Sequence, residues 1–153
     1  MNQKIIKIIK KKNKSKIVCL TAYSKTVAQI LDKYCDIVLV GDSMANVLYG
    51  SNDTHKIKLE NMVQHSISVR KGVKKSLLVV DMPKNTYNNT SDAKKNAKKI
   101  INLTKCDAVK IESNSNNYNI INALVKSKIP VMGHIGYTPQ FKKKFKIEGD
   151  TKQ

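Results

Sequence analysis

The sequence predicts an α/β fold, an incomplete (β/α)8 barrel of the TIM-barrel type with about five βα units. Two observations support the α/β class. Short β-branched runs alternate with longer segments of helical spacing, and the predicted strands are almost entirely apolar. Apolar strands of this kind are typical of a parallel sheet that helices cover. A third observation, the polar side chains at the strand ends, favours a barrel over an open sheet.

The predicted strands are runs rich in Val, Ile and Leu, at residues 17–21, 37–40, 77–80, 108–111 and 131–133. The predicted helices follow them, at about residues 25–34, 59–71, 91–103 and 118–126. Thr90 or Ser91 is available to cap the third helix. We expect a single partial-barrel domain over residues 1–153, with a Lys-rich N-terminal segment (1–16) and a Lys-rich C-terminal tail (141–153).

Polar side chains follow four of the predicted strands. Asp42 and Ser43 come after the second strand, Asp81 after the third, Glu112 after the fourth and His134 after the fifth. Parallel strands end at the same edge, so these side chains are expected to meet at one rim, where α/β enzymes keep their active sites. No GxGxxG or GxxxxGK[ST] sequence follows the first strand, which argues against an open nucleotide-binding sheet.

Each of these residues also has an ordinary structural explanation. An Asp after a strand, such as Asp42 or Asp81, often caps a helix or closes a turn. Glu112 taken alone is typical of a solvated loop, and His134 alone would bond the backbone. Lys110 differs, because a charge inside an apolar strand requires a counter-charge, which one of these three carboxylates would supply. The joint occurrence of all five favours a functional site.

Charge and composition exclude several classes of protein. The formal net charge is +18, yet Arg70 is the only Arg, and Lys residues are spread along the whole chain. Arg is preferred for bidentate recognition of bases and phosphates, so we expect no specific nucleic-acid partner and only weak, salt-sensitive binding of polyanions. The longest apolar stretches, such as residues 76–80, are far shorter than the roughly 18 residues of a membrane span. Residues 1–16 lack the apolar core of a signal peptide, so a cytoplasmic location is expected.

The three cysteines are expected to be buried, free thiols of a reducing compartment. They are odd in number, lack CxxC spacing and lie among apolar residues, at Cys19, Cys35 and Cys106.

The strand-end motifs, taken in order, resemble those of the ketopantoate hydroxymethyltransferase family. They are Thr21-Ala22-Tyr23, Val40-Gly41-Asp42-Ser43, Asp81-Met82-Pro83, Val109-Lys110-Ile111-Glu112 and Gly133-His134-Ile135-Gly136-Tyr137-Thr138-Pro139-Gln140. The resemblance extends from about residue 17 to residue 140, with secondary markers at Thr54, His65 and Tyr87. One tripeptide would be weak support, whereas five motifs in order at strand ends are strong support.

The resemblance implies transfer of a hydroxymethyl group from 5,10-methylenetetrahydrofolate to 3-methyl-2-oxobutanoate, giving 2-dehydropantoate. It implies that Mg²⁺ is bound by Asp42, Asp81 and Glu112. It implies that the oxo acid is bound by Asp42, Ser43, Asp81, Lys110 and His134. The general base of the family lies on a later strand, so no catalytic base is assigned in this sequence.

These residue types also suit the chemistry by themselves. A 2-oxo acid offers a carboxylate oxygen and a keto oxygen to one ion, and Mg²⁺ held by a few carboxylates has positions left for both. Such chelation withdraws electrons from the carbonyl group. Lys110 lies two residues before Glu112, so both side chains point to the same face of the strand, and the ammonium group is suited to the substrate carboxylate.

A complete barrel takes about 250 residues, so roughly three βα units are expected to be missing. The sequence is then a fragment, the product of a decaying gene, or one half of a split enzyme that a complementing C-terminal half would complete. The resemblance also implies a homo-oligomer. Two other functions stay open. One is a Mg²⁺-dependent 2-oxo acid lyase or mutase of the phosphoenolpyruvate-handling barrel superfamily, and the other is an inactive basic domain that binds polyanions.

Overall fold

The computed structural model describes residues 2–142, which form one five-stranded sheet and six helices. The strands are β1 (Cys19–Thr21), β2 (Ile37–Val40), β3 (Leu77–Asp81), β4 (Ala108–Glu112) and β5 (Val131–His134). The helices are α1 (Gln3–Lys10), α2 (Lys25–Leu31), α3 (Met44–Val47), α4 (Leu59–Gly72), α5 (Thr90–Thr104) and α6 (Tyr118–Lys126).

All strand pairs are parallel, and the strands follow one another in the order β1-β2-β3-β4-β5. An order without reversal describes an arc of a barrel, whereas a doubly wound sheet reverses at a switch point. The incomplete barrel that the sequence predicts is therefore confirmed for this part of the chain. The predicted strand at 37–40 and the predicted helix at 118–126 have the observed bounds.

Successive side chains of each strand point to opposite faces of the sheet, and the two faces pack in separate apolar clusters. Val38, Val80 and Val109 pack into the large cluster beneath the helices, and Leu77 and Val79 belong to a small cluster on the opposite, inner face. Side chains alternate along a strand, so every second residue continues the inner face. At the carboxyl ends of the strands these inner-face residues are polar. The inner face is thus apolar at its amino-terminal end and polar at its carboxyl end.

Helix α1 lies within residues 1–16, for which the sequence predicts only a Lys-rich segment. The Asn2 side chain caps the helix by accepting from the Lys4 N–H at 2.9 Å. Ile5 and Ile8, one turn apart, pack against the inner apolar cluster, and the Lys4 ammonium group donates to the Ser76 carbonyl oxygen at 2.9 Å. The helix therefore covers the amino-terminal end of the inner face. The helical spacing of its isoleucines is the feature of the sequence that indicates this amphipathic helix.

Three smaller expectations were wrong. Cys19 is exposed, because β1 forms the edge of the sheet; Cys35 and Cys106 are buried as expected. The first strand begins at Cys19 rather than at residue 17. Helix α5 is capped by Asn89, whose side chain accepts from the Asp92 N–H at 2.9 Å, and not by Thr90 or Ser91.

Within residues 2–142, no helix combines the length and the apolar character that crossing a membrane requires. The predicted tail at 141–153 lies outside the described residues from 143 onward.

A buried carboxylate joins the end of α2 to the start of β3. Asp32 accepts hydrogen bonds from the Lys75 N–H at 2.9 Å and the Ser76 N–H at 2.8 Å. Burial opposes ionisation of Asp32, but the backbone donors, led by Ser76, outweigh it and lower the pKa of the carboxyl group. Asp32 therefore satisfies backbone donors that the sheet does not pair at this turn.

We predict that Asp32→Ala lowers the free energy of unfolding by about 1–3 kcal/mol, because the two N–H groups lose their acceptor in a buried turn. Urea unfolding followed by circular dichroism measures the change. Glu60→Ala is the control, since Glu60 is exposed and its one ion pair among residues 2–142 is with the exposed Lys99, and the midpoint of this variant should barely move. Equal midpoints for the two variants would contradict the role of Asp32.

Candidate active site

A cavity of about 640 Å³ opens at the carboxyl ends of β2 to β5. All the site residues predicted from the sequence line it: Asp42, Ser43, Asp81, Lys110, Glu112 and His134. Four segments far apart in the chain therefore contribute to one site, as the strand-end argument predicted.

Asp81 and Lys110 form the central ion pair of the cavity. They are register partners in the parallel pairing of β3 and β4, and the Lys110 ammonium group donates to Asp81 Oδ1 at 2.7 Å. The Asp42 N–H donates to Asp81 Oδ2 at 3.1 Å. Burial nevertheless raises the pKa of Asp81 to about 6, because Lys110 only partly offsets desolvation and Asp42 adds repulsion. The predicted need of Lys110 for a counter-charge is thus met by Asp81.

Glu112 and His134 are register partners on β4 and β5. Burial raises the pKa of Glu112 to about 7, and the charges of Asp42 and Asp81 act in the same direction. His134 Nδ1 lies 3.7 Å from Glu112 Oε1, which is too long for a hydrogen bond. Burial, followed by repulsion from Lys110, lowers the pKa of His134, so the ring is neutral at pH 7 and this contact is not a strong ion pair.

His134 Nδ1 is buried and has no hydrogen-bond partner among residues 2–142. A buried nitrogen without a partner is costly, so its presence beside a cavity is typical of a group that meets a ligand. This supports the prediction that His134 contacts the substrate.

Asp42 and Ser43 lie between the end of β2 and the start of α3. Ser43 Oγ is 2.8 Å from the Tyr23 hydroxyl, and Asp42 Oδ2 accepts from the Gln140 side-chain amide at 2.7 Å. Tyr23 belongs to the first strand-end motif, so it brings the end of β1 to the site. Both residues are therefore held by side chains from other strand ends.

The donor set fits a hard divalent cation. Three buried carboxylates face one ammonium group and one neutral imidazole, which leaves an excess of negative charge, and carboxylate oxygens are the ligands that Mg²⁺ prefers. Across residues 2–142, however, no three His, Cys, Asp or Glu side chains surround a single ion position as arranged. Mg²⁺ commonly keeps several waters and takes one or two carboxylates together with its substrate. The site therefore fits an ion completed by water and substrate better than a closed protein cage.

Some functional candidates were missed from the sequence. Thr54 lines the cavity, and its Oγ1 is buried without a partner in the described part of the chain. His55 also lines it, with Nε2 2.9 Å from the Pro139 carbonyl oxygen. Gln140 contacts two of the carboxylates. Thr54 and Gln140 belong to the motifs that carry the resemblance, but no spacing rule assigns them a role.

Comparison with known proteins identifies close relatives. Residues 2–153 match the sequence model of a family described as ketopantoate hydroxymethyltransferase. A 3-methyl-2-oxobutanoate hydroxymethyltransferase of Pelagibacter ubique (strain HTCC1062) is 58% identical over 149 residues, which cover 97% of this chain and 58% of that protein. A protein of the same name from Anaplasma marginale (strain St. Maries) is 46% identical over 136 residues, covering 89% and 49%. The chain thus spans about half the length of these relatives.

Solved structures with the same fold are more distant in sequence. Phosphonopyruvate hydrolase in complex with oxalate and Mg²⁺ has a TM-score of 0.69 and 10% identity, covering 87% of this chain and 52% of that chain. A 2,3-dimethylmalate lyase of the PEP mutase/isocitrate lyase superfamily has a TM-score of 0.62 and 13% identity, covering 87% and 52%. At such identities the likeness concerns the fold, and it agrees with a partial barrel.

We predict that the metal-free protein, kept in EDTA, loses stability as the pH rises from about 5 to 8. The folded pKa of Glu112 is about 7 against an ordinary 4.5, so the folded state binds more protons than the unfolded state in this window and ionisation disfavours folding. Glu112→Gln should reduce this pH dependence, whereas Glu60→Gln at an exposed position should keep it. Thermal unfolding across the pH range measures the effect, and a Glu112→Gln profile parallel to the wild type would contradict it.

Proposed function

The chain belongs to the ketopantoate hydroxymethyltransferase family, and from that premise we propose that it forms the ion- and oxo-acid-binding part of a hydroxymethyltransferase. The reaction is transfer of a hydroxymethyl group from 5,10-methylenetetrahydrofolate to 3-methyl-2-oxobutanoate, giving 2-dehydropantoate. The observation that supports it most is the convergence of three carboxylates, Lys110, Ser43 and His134 on one cavity.

Asp42, Asp81 and Glu112 are the residues that would hold Mg²⁺. When bound, the ion would act as a Lewis acid on the carbonyl group of the 2-oxo acid. The raised pKa values of Asp81 and Glu112 suit this role, because an incoming cation offsets the cost that burial and neighbouring negative charges impose on their ionised forms.

The other side chains would bind and orient the oxo acid. The Lys110 ammonium group lines the cavity and pairs with Asp81 on the neighbouring strand, so it is placed to neutralise the substrate carboxylate as well. The Ser43 hydroxyl, held by Tyr23, would donate a hydrogen bond to a substrate oxygen. His134 Nδ1, which has no hydrogen-bond partner in the described part of the chain, would gain one from the substrate. We assign no residue the removal of the C3 proton and expect that base on a later strand.

The sequence relationships favour the transferase over the alternatives. Identity to the curated relatives reaches 58%, against 10–14% for the lyases, mutases and hydrolases of similar fold. A requirement for the folate co-substrate would separate the two functions. The cavity itself is acidic, which disfavours polyanions there although the chain is basic overall. The cytoplasmic location stays a prediction, as does a homo-oligomer.

We further propose that the barrel is completed by additional βα units, carried on this polypeptide or on a second one. In the described residues β1 pairs only with β2, and β5 only with β4. An apolar groove of about 770 Å³ opens on the inner face beside β5 and is lined by Ile5, Ile8, Val79, Ala108 and Met132, among others. The relatives have the further length that would cover this groove and the two edges.

We predict that the purified chain binds 3-methyl-2-oxobutanoate in the presence of Mg²⁺ and not in EDTA, because the ion links the acidic cavity to an anionic ligand. Asp42→Asn should weaken this binding more than tenfold, since a charged ligand of the ion is lost. Titration calorimetry gives the affinities, with the exposed Glu60→Gln as control. Oxo-acid binding that is indifferent to Mg²⁺ would contradict the proposed site.

We predict that this chain alone shows no turnover, and that fusing it to the remaining length of the Pelagibacter relative restores folate- and Mg²⁺-dependent turnover. In the fusion, Lys110→Met should lower kcat/KM at least tenfold, because the substrate carboxylate loses its counter-charge, whereas Lys71→Met on the exposed side of α4 should not. Formation of 2-dehydropantoate is the measurement. Robust turnover by the chain alone would show that the base lies within it, and a folded but inactive fusion would contradict the function.

A further inference from the structure

Gln140 makes four hydrogen bonds that join separate parts of the active site. It is 2% exposed and follows β5 by six residues. Its backbone N–H donates to Glu112 Oε2 at 3.0 Å, and its side-chain Nε2 donates to Asp42 Oδ2 at 2.7 Å and to the Met82 carbonyl oxygen at 3.1 Å. Its Oε1 accepts from the Tyr87 hydroxyl.

The orientation of this amide follows from the chemistry of its neighbours. The Met82 carbonyl oxygen only accepts hydrogen bonds, so it must face the NH2 group, which donates one hydrogen to it and the other to Asp42 Oδ2. The amide oxygen therefore faces Tyr87, whose hydroxyl must donate. Every polar atom of the Gln140 side chain is then satisfied in one orientation only.

We propose that Gln140 and Tyr87 act as a positioning pair, which holds Asp42 and Glu112 in the orientation that Mg²⁺ and the oxo acid require. This inference rests on the proposed function of the site. Gln140 holds one oxygen of each carboxylate, on the ends of β2 and β4, and thereby directs how the remaining oxygens face the cavity. Neither residue of the pair is assigned a contact with the substrate.

Tyr87 supplies the rigidity of the pair. It is 4% exposed, lies between β3 and α5, and packs edge-on against Phe141 with ring centroids 6.2 Å apart. Without its hydroxyl, Gln140 Oε1 would be buried without a donor, and such a group costs enough free energy for the amide to move towards another partner. Asp42 Oδ2 would then lose its side-chain donor and become free to turn, whereas the Gln140 backbone N–H would still hold Glu112.

The test compares ion affinity with stability in three variants of the full chain. Tyr87→Phe removes only the hydroxyl and keeps the ring packing, and Gln140→Met keeps the chain length but removes the amide. Tyr34→Phe, at a residue that is 75% exposed, is the matched control. Titration calorimetry with MgCl2 and 3-methyl-2-oxobutanoate gives the Mg²⁺ affinity, and thermal unfolding gives the fraction folded at the titration temperature.

We expect Tyr87→Phe to weaken Mg²⁺ binding about 3- to 10-fold, the loss of roughly one hydrogen bond, and Gln140→Met to weaken it more than tenfold, with both variants fully folded. Tyr34→Phe should match the wild type. Unchanged affinity in both site variants, with normal wild-type binding, overturns the positioning role alone. The positioning role is also overturned if the loss of Mg²⁺ affinity disappears at a lower temperature at which the variants are fully folded. Absence of ion-assisted binding in the wild type overturns the proposed function as well.

Discussion

Parallel, in-register pairing of neighbouring strands places the chemistry of this protein at one edge of its sheet. The pairing sets Asp81 opposite Lys110 and Glu112 opposite His134, so that charged groups distant in sequence become neighbours. A shift of one residue in either register would turn these side chains towards the apolar cluster beneath the helices. The apolar residues that alternate with them, such as Val80 and Val109, are buried there and specify the register. Core packing and site geometry thus depend on the same alternation.

The site costs stability that the rest of the fold must offset. Asp81 and Glu112 have raised pKa values because burial and mutual repulsion disfavour their ionised forms. The protein limits this cost with one ammonium group, the backbone N–H groups of Asp42 and Gln140, and one side-chain amide. Buried carboxylates that repel one another destabilise the fold in the absence of a cation, and the same excess of negative charge allows them to bind one. At the other end of the inner face, apolar packing under α1 contributes stability without charge.

Much of the fold and the set of site residues could be predicted from the sequence because both follow from local patterns. Apolar runs located the strands, and the direction of parallel strands brought Asp42, Glu112 and His134 together. The partner of Lys110 depended on register, which the sequence alone left open among three carboxylates. Gln140 was recognised only as part of a motif, because its role depends on contacts with residues 58 and 98 positions away in sequence. Helix α1 could not be predicted with the same ease, because its apolar face is short and lysines dominate the surrounding segment.

The central claim is that the strand-end carboxylates hold a divalent ion that also binds a 2-oxo acid. Anomalous diffraction from crystals of the completed barrel, grown with Mn²⁺ in place of Mg²⁺ and with 3-methyl-2-oxobutanoate, tests it most directly. The account predicts one strong anomalous peak in the cavity beside Asp42, Asp81 and Glu112, with the carboxylate and keto oxygens of the ligand bound to it. A peak elsewhere, or a ligand bound in that cavity away from any ion, would contradict the account.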